Sequence, residues 1–186
     1  EYRYAGSNPN NYVRFNNELW RIIGLANTPE GQRVKIIRDE SIGEYSWDSS
    51  VSSINDGQGI NEWSQADLMY LLNEGPYYQR SSGICYNGQN NATTSCDFSE
   101  IGLLPKSKEM IDTITWNTST NDGVVYKYNN MNVYHFYNQE RSHTAEKICS
   151  GIHCNDNVIR TIMWKGNVGL MYPSDYGYAT SGGNIT

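Results

Sequence analysis

One segment constrains the fold of this chain more than any other, and it covers residues 12–25, YVRFNNELWRIIGL. Val13 and Phe15 alternate with polar Arg14, two asparagines follow, and an apolar run of leucine, tryptophan and isoleucine then resumes. Asparagine tolerates the positive φ angles that tight turns between twisted strands require. Turn residues between β-branched and aromatic runs are a strong short-range signal of paired strands. The segment therefore predicts a β-hairpin that starts a mixed domain of helices and strands.

The length of the chain, 186 residues, is that of one domain, and we expect residues 1–186 to form a single unit that buries its own core. Glu1 is not a start methionine, and residues 180–186, TSGGNIT, resemble a loop, so we expect the natural protein to extend beyond both ends. No apolar run approaches the roughly 18–20 residues that cross a bilayer. This segment is therefore not expected to insert into a membrane.

The charge and the residue usage narrow the class of partner. Charged residues make up 18% of the chain and the net charge is −6, so the sequence lacks the basic surface that nucleic-acid binding requires. Tyrosine is abundant, with 15 residues, and small polar residues fill much of the rest. This composition is typical of adaptable binding surfaces, and equally of loop-rich extracellular bacterial proteins. The charge therefore excludes a nucleic-acid partner. The composition leaves open whether the chain is a binding module or simply a loop-rich extracellular protein.

The four cysteines indicate the cellular location of the protein. Cys85 and Cys96 bracket one polar loop, and Cys149 and Cys154 bracket a second. An even number of cysteines in polar loops predicts two disulfides, each closing its own loop, and hence an extracellular or cell-surface location. In the chain-entropy description each closure contributes about 2–3 kcal/mol to stability.

A zinc site is the rival interpretation of the second cysteine pair. Cys149, His153 and Cys154 carry zinc-ligating side chains, and His143 lies nearby in the sequence. Structural zinc usually uses paired knuckles with about two to four intervening residues, which the first cysteine pair does not match. The disulfide pairing is therefore the stronger interpretation, and the identity of any bound metal stays open.

The same periodic signals predict the remaining elements. In chain order they are a strand over 32–38, a helix over 65–73, a long loop over 76–102, a helix over 105–115, a strand over 124–128, a helix over 132–141 that a strand pattern also fits, a hairpin of 161–165 with 168–172, and a helical turn over 175–179. Ser64 is predicted to cap the first helix, with Asp67 completing a capping box. The predicted core consists of Trp20, Ile22, Ile36, Leu68, Leu71, Ile111 and Val168.

Aromatic and acidic residues in two loops form the predicted ligand-binding set. Trp47 and Asp48 lie in a polar loop, and Asp175, Tyr176 and Tyr178 follow the last predicted strand. Loops between rigid elements commonly carry binding residues, and tyrosine and tryptophan supply large contact areas at small entropic cost. The carboxylates can accept hydrogen bonds from sugar hydroxyls or from a basic partner. The alternative is that these rings pack inward on the core.

Oxygen ligands also cluster before the first helix, at Asn55, Asp56, Asn61 and Glu62 around Gly57. The set partly matches a calcium loop, but its spacing does not satisfy the EF-hand rule. An ordinary turn built on asparagine and aspartate explains the same residues. We therefore expect no cofactor, and calcium is the alternative.

Catalytic motifs are not found in the sequence. His135, His143 and His153 accompany neither a GxSxG nucleophile elbow nor an HExxH zinc helix, and no glycine-rich phosphate loop occurs. A cysteine nucleophile would need one of the pairs to be reduced. The chain is therefore predicted not to be an enzyme, although carboxylates can be paired by a fold without any sequence signature.

Several longer stretches resemble a large group of surface proteins from gram-positive gut bacteria. They are YVRFNNELWRIIGL, VKIIRDESIGEYSWDSS, INEWSQADLMYLLN, CYNGQNNATTSCDF, MIDTITWNTSTNDG and VGLMYPSDYGYATSGG. Members of the group are similar to C-type-lectin-like domains, a fold also used by formylglycine-generating enzymes and by hypervariable bacterial ligand-binding proteins. Many carry an upstream prepilin-like segment and continue beyond the position of Thr186. The resemblance implies a loop-rich, disulfide-stapled α+β domain of C-type-lectin-like type, with β-hairpins and two or three short helices.

The resemblance and the binding residues together imply a surface or pilus-associated, adhesin-like module that recognises a host or bacterial glycan or a protein ligand. Two alternatives stay open at this point. One is an enzyme, either a hydrolase or a formylglycine-generating relative, and the other is a purely structural pilus or cell-surface subunit. Filaments seen by electron microscopy would favour the subunit over the binding module.

Overall fold

The structure, a computed structural model, describes residues 2–4, 9–51, 59–60, 62–118 and 163–179. The strands form antiparallel pairs and the helices are short, so these residues establish a mixed α+β domain. The strands are β1 (Tyr2–Arg3), β2 (Tyr12–Phe15), β3 (Glu18–Thr28), β4 (Gly31–Arg38), β5 (Ser82–Tyr86), β6 (Thr93–Asp97), β7 (Ile114–Asn117) and β8 (Met163–Gly166). The helices are α1 (Asp67–Asn73), α2 (Pro76–Gln79), α3 (Pro105–Lys108) and α4 (Pro173–Ala179), with a 3₁₀ turn at Trp63–Gln65.

The central strand of the first sheet is β3. β4 pairs with one of its edges, and β1 and β2 pair with successive parts of the other edge, all antiparallel. Val13 lies opposite Trp20, which confirms the predicted N-terminal hairpin, and β4 confirms the strand predicted over 32–38. Gly24 lies so close to β1 that a Cβ there would stand 2.5 Å from the Tyr2 carbonyl oxygen. Glycine at this position therefore allows β1 to join the sheet.

Two asparagines form the turn between β2 and β3. Asn16 and Asn17 have φ angles of 57° and 62°, the left-handed values that a primed turn requires. Asn16 is also buried, and its Oδ1 accepts a hydrogen bond from the Leu104 backbone N–H at 2.7 Å. Its Nδ2 donates to the Gly102 carbonyl at 3.1 Å. The turn therefore ties the first sheet to the chain that precedes α3.

Replacing Asn16 with alanine should lower the free energy of unfolding by about 2–3 kcal/mol, because alanine tolerates positive φ poorly and leaves the Leu104 N–H without this partner. Asn17→Ala is the matched control, since Asn17 has the same backbone conformation but is exposed. It should lose only about 1 kcal/mol. Urea unfolding measures both variants, and equal losses would mean that the bonds to 102 and 104 contribute nothing.

The buried core lies around α1, α2 and the β5–β6 hairpin, and its members are Trp63, Ala66, Leu71, Leu72, Tyr77, Cys85, Cys96, Phe98 and Leu103. Among the predicted core residues, Leu71 is confirmed as buried. The others are only half-buried: Trp20, Ile22, Ile36, Leu68, Ile111 and Val168. Several of these line a cavity of about 760 Å³ bordered by β3, β4 and β7, which leaves their side chains partly accessible. The prediction that these six residues are buried in the core is therefore wrong.

The first helix begins later than predicted. α1 starts at Asp67, and its N-cap residue Ala66 provides no side-chain hydrogen bond. Ser64 lies in the 3₁₀ turn, where its hydroxyl donates to Glu62 at 2.9 Å. The Asp67 carboxylate accepts from the backbone N–H and the hydroxyl of Ser49, at 2.8 and 2.7 Å. The predicted capping box is therefore wrong, because both of its side chains bind other partners.

The loop predicted over 76–102 is wrong for much of its length, because it contains α2 and the antiparallel β5–β6 hairpin. Cys85 and Cys96 form the predicted disulfide, which joins the two strands of this hairpin. The strands are rich in serine, threonine and glycine, so they lack the apolar alternation that signals a strand in sequence.

The pairing of the later strands also differs from the prediction. α3 ends at Lys108, and Ile114, predicted to lie in that helix, begins β7. β8 pairs with β7 rather than with residues 168–172, which form no strand. The helix α4 confirms the predicted helical turn but begins earlier, at Pro173.

Some predicted features fall outside the described residues. They are the strand over 124–128, the helix over 132–141, the Cys149–Cys154 disulfide with its rival zinc site, and the histidines His135, His143 and His153. Each of them stays a prediction, and so does the C-type-lectin-like topology.

Candidate functional site

Trp47 is held at the surface with 39% of the residue exposed. Its indole Nε1 donates to the Ile60 carbonyl at 3.1 Å, and its own carbonyl accepts from the Leu68 N–H of α1 at 3.0 Å. The ring packs against buried Trp63 with 5.3 Å between the centroids. These contacts fix the orientation of Trp47, so its exposed part is a rigid aromatic platform.

The aromatic contacts continue from this platform into the core. Trp63 meets Trp164 of β8 edge-to-face, with 5.7 Å between the centroids. The Trp164 ring covers Gly166, where a Cβ would stand 2.0 Å from it. Trp47 is therefore the outermost member of a packed row of tryptophans that reaches β8.

The tip of the β5–β6 hairpin, residues 87–92, lies against the chain that carries the tryptophan. Ser46 Oγ donates to the Gly88 carbonyl at 2.8 Å and accepts from the Gly88 N–H at 2.6 Å. The Asn91 N–H donates to the Ser49 carbonyl at 2.7 Å. The hairpin tip is therefore anchored immediately before and after the two predicted binding residues of this loop.

We call Trp47, Asp48 and residues 87–92 together the Trp47 surface. The sequence predicted the first two of these components but not the third, which it placed in a loop with no assigned neighbour. The signal that could have found the hairpin tip was the run of turn-forming residues, NGQNN, between two cysteines. No sequence signal indicated that this turn would bond to Ser46 and Ser49.

Asp48 is half-buried and is held by its own loop. Its Oδ1 accepts from the Ser50 backbone N–H at 2.8 Å and from the Ser50 hydroxyl. The Asp48 carbonyl oxygen packs against Gly59, where a Cβ would stand 2.6 Å away and φ is +81°. Only glycine permits this approach of the two chain segments, which brings the backbone at Asp48 against residue 59.

Within the described part of the chain, no group of three or more histidine, cysteine, aspartate or glutamate residues is arranged to hold a metal ion. Glu62, from the predicted calcium loop, is buried, and it accepts from the Ser64 hydroxyl at 2.9 Å. The other residues of that loop lie outside the described residues: Asn55, Asp56, Gly57 and Asn61.

The predicted binding residues on α4 have a different set of neighbours. Asp175 is 5% exposed, and its carboxylate pairs with Arg3 and Lys35. It also accepts from the Tyr172 N–H at 3.1 Å, and Lys35 Nζ lies 4.2 Å from the centroid of the Tyr172 ring. Asp175 therefore connects β1, β4 and α4 in an ion cluster with Arg3 and Lys35.

The charge state of Asp175 follows from this cluster. Burial by itself would raise the pKa of Asp175, but the charge and hydrogen bond of Lys35, the charge of Arg3 and the bond from the Tyr172 N–H outweigh it, so the pKa is lowered. The carboxylate is therefore ionised at neutral pH and opposes the two cations directly.

The remaining residues of the predicted set lie on the same helix. Tyr176 is 60% exposed, whereas the side chain of Tyr178 lies outside what the structure describes. The cavity of about 760 Å³ also reaches this end of the molecule, since Lys35, Tyr172 and Asp175 are among its lining residues. α4 thus presents one exposed ring close in sequence to a buried ion cluster.

Comparison of the chain with models of known families, with curated proteins and with solved structures found no match. No helix within the described ranges is both long and apolar enough to cross a membrane. The site is therefore interpreted from its own geometry and chemistry.

Proposed function

We propose that this chain is an extracellular, adhesin-like binding module of C-type-lectin-like type, which recognises a glycan or a protein ligand and acts without catalysis. The observation that carries the proposal is Trp47, which stays partly exposed although its indole N–H and its backbone carbonyl are both hydrogen-bonded. A mobile side chain loses rotamer freedom on binding, whereas a ring already held in place loses little. A fixed, exposed tryptophan is therefore well suited to contact a ligand.

The groups around the ring support a binding role. Asp48 supplies a half-buried carboxylate at the next position in the chain, and the hairpin tip supplies exposed amide side chains. A binding site commonly combines an apolar or aromatic surface with a few placed polar groups that set orientation and specificity. The Trp47 surface has both components on rigidly connected segments.

The disulfide supports the extracellular location. Cys85 and Cys96 are bonded and buried within the hairpin whose tip forms part of the Trp47 surface. Such bonds persist in oxidising environments and are rare in the cytosol. The surface or pilus association rests on the resemblance to gram-positive surface proteins and is part of the proposal.

The residues of α4 are secondary to Trp47 in the proposed binding site. Tyr176 is a second exposed ring and a candidate contact, and Tyr178 stays a predicted one. Asp175 supports α4 through its ion pairs with Arg3 and Lys35 rather than meeting the ligand itself. Binding at Trp47 and binding at Tyr176 are therefore separable by mutation.

Trp47→Ala should weaken ligand binding by roughly thirtyfold or more, since a central aromatic contact contributes about 2 kcal/mol or more to affinity. A glycan array and a pull-down from host and bacterial surface proteins identify the ligand with the parent chain. Titration of that ligand with each variant then gives the affinities, and thermal unfolding verifies that the variants are folded.

Two further variants complete the comparison. Tyr176→Ala tests the second exposed ring, and Tyr70→Ala is the control, because Tyr70 is also an exposed aromatic residue but lies outside the predicted set. The proposal expects Tyr70→Ala to bind like the parent. Equal binding by the parent, Trp47→Ala and Tyr176→Ala would contradict the assigned site, and self-assembly into filaments without any ligand would favour a structural subunit.

A further inference from the structure

The two halves of the Trp47 surface are joined at both ends. Ser46 bonds twice to Gly88, and Ser49 bonds to Asn91, so the segments 46–49 and 88–91 lie side by side between these anchors. Trp47 and Asp48 are the two residues between the anchors on one segment. Gln89 and Asn90 are the two residues between the anchors on the other.

The hairpin tip has a defined conformation. The Asn87 N–H donates to the Ala92 carbonyl at 3.1 Å and closes the hairpin, and the Ala92 N–H donates to the Gln89 carbonyl at 3.1 Å. Gly88, Asn90 and Asn91 adopt φ angles of 115°, 57° and 56°. These left-handed values suit glycine and asparagine, so the residue types match the turn that they form. The tip therefore presents its exposed side chains from a built turn.

The two segments present different chemical groups. One presents a fixed aromatic ring, and the other presents the amide side chains of Gln89 and Asn90, which are both exposed. Each amide carries a carbonyl acceptor and an NH₂ donor, so it can bond a hydroxyl in either sense. The whole stretch between Cys85 and Cys96 contains no charged residue. This combination suits a neutral ligand that has an apolar face and many hydroxyl groups.

We propose that the ligand of the Trp47 surface is a neutral glycan, whose sugar ring stacks on Trp47 while Gln89 and Asn90 hydrogen-bond its hydroxyl groups. This inference rests on the proposed binding function and names the class of ligand. Asp48, the next residue in the chain, carries a carboxylate acceptor. A protein partner is the other class considered above, and the test below separates it from a glycan.

The disulfide helps to hold the hairpin tip in place. It joins β5 to β6 within the hairpin, and both cysteines are buried. The hairpin tip is therefore a continuation of a cross-linked ribbon that is anchored in the core. The tip is held from both directions, by the ribbon on one side and by the bonds to Ser46 and Ser49 on the other.

The test uses a panel of neutral mono- and oligosaccharides built from hexoses and N-acetylhexosamines, with affinities measured by titration of the whole chain. The Gln89→Ala/Asn90→Gly double variant removes both amides while glycine keeps the positive φ that Asn90 adopts. It should bind the best sugar at least roughly tenfold more weakly than the parent, since it loses hydrogen bonds made only with the ligand. Its thermal unfolding should match that of the parent.

Ile84→Ala is the matched control, because Ile84 is exposed on the same hairpin but lies in a strand rather than in the tip. It should bind the sugar like the parent. If Trp47→Ala abolishes binding while the double variant binds normally, the amide contacts are overturned and the binding function stands. If no neutral sugar binds and a protein binds through Trp47 instead, the glycan inference is overturned. If a neutral sugar binds the parent, Trp47→Ala and the double variant equally, the Trp47 surface is not the binding site, and the glycan contacts assigned to it are overturned.

Discussion

Replacing Phe98 with alanine should lower the free energy of unfolding by about 3–5 kcal/mol, the range for a large aromatic side chain removed from a packed core. Phe98 is 1% exposed, and its ring meets the rings of Tyr77 and Tyr45 at centroid distances of 5.5 and 5.7 Å. Its backbone N–H bonds to Ser81 and its carbonyl accepts from Gly102, so neighbouring chain is held in place and cannot readily fill the space. Urea unfolding followed by fluorescence gives the value.

Trp20→Ala is the matched control for this variant. It also removes a large ring, but Trp20 is half-buried beside the cavity and so gives up less contact. We expect a loss of about 1–2 kcal/mol, because only part of the apolar area is returned to water. A loss as large as that of Phe98→Ala would mean that Trp20 is fully buried, as the sequence predicted.

Asp175→Asn should lower the free energy of unfolding by about 3 kcal/mol at neutral pH, the lower end of the range for breaking a buried ion pair. The substitution removes the carboxylate that Arg3 and Lys35 share, and both of these cations are largely buried. The lower end applies because the cations keep some contact with water. Asp112→Asn is the control, since the Asp112–Arg33 pair is exposed and should contribute less than about 1 kcal/mol.

The same cluster predicts how stability depends on pH. The pKa of Asp175 is lower in the folded protein than in the unfolded chain, because Lys35 and Arg3 outweigh the effect of burial. The stabilisation is therefore complete above the unfolded value of about 4 and is lost as the pH falls through the folded value. Unfolding of the parent and of Asp175→Asn, measured from neutral pH down to about pH 3, should show a difference that shrinks in acid. A difference that stays constant would contradict the ion-pair assignment.

The N-terminal hairpin was predictable because its signal is local. Asn16 and Asn17 supply the left-handed turn, and the apolar residues on either side identify the strands. The Cys85–Cys96 disulfide was predictable for the same reason, since both cysteines belong to one short loop. Each of these features depends on residues that are close together in the chain.

The strand pairs that the sequence missed have weaker local signals or distant partners. β5 and β6 are polar and lack apolar alternation, so their propensity was not recognised. β7 pairs with β8, and this places Trp116 opposite Trp164 across a long stretch of intervening chain. The sequence instead favoured the nearest partner for β8, because a hairpin needs only a turn and a short loop.

The candidate site also combines features that the sequence indicates locally with features that depend on distant parts of the chain. The sequence indicated Trp47 and Asp48 as candidate binding residues, from residue type and loop position. It did not indicate the hairpin tip, because the bonds from Ser46 and Ser49 join segments that no sequence pattern relates. It also grouped Asp175 with the binding residues, since burial and ion pairing are not visible in a sequence.

The sequence by itself determined the left-handed turn of the first hairpin, the apolar face of α1, the pairing within one cysteine loop and the presence of an aromatic residue in the polar loop before α1. Each of these follows from backbone preference or from residue spacing. Only the tertiary structure decided that the disulfide hairpin bonds to Ser46 and Ser49 on either side of Trp47 and Asp48, and that Lys35 meets Asp175 across 140 residues of chain. Such contacts arise when elements pack together, and packing depends on the shape of the whole core, which leaves no periodic trace in the order of the residues.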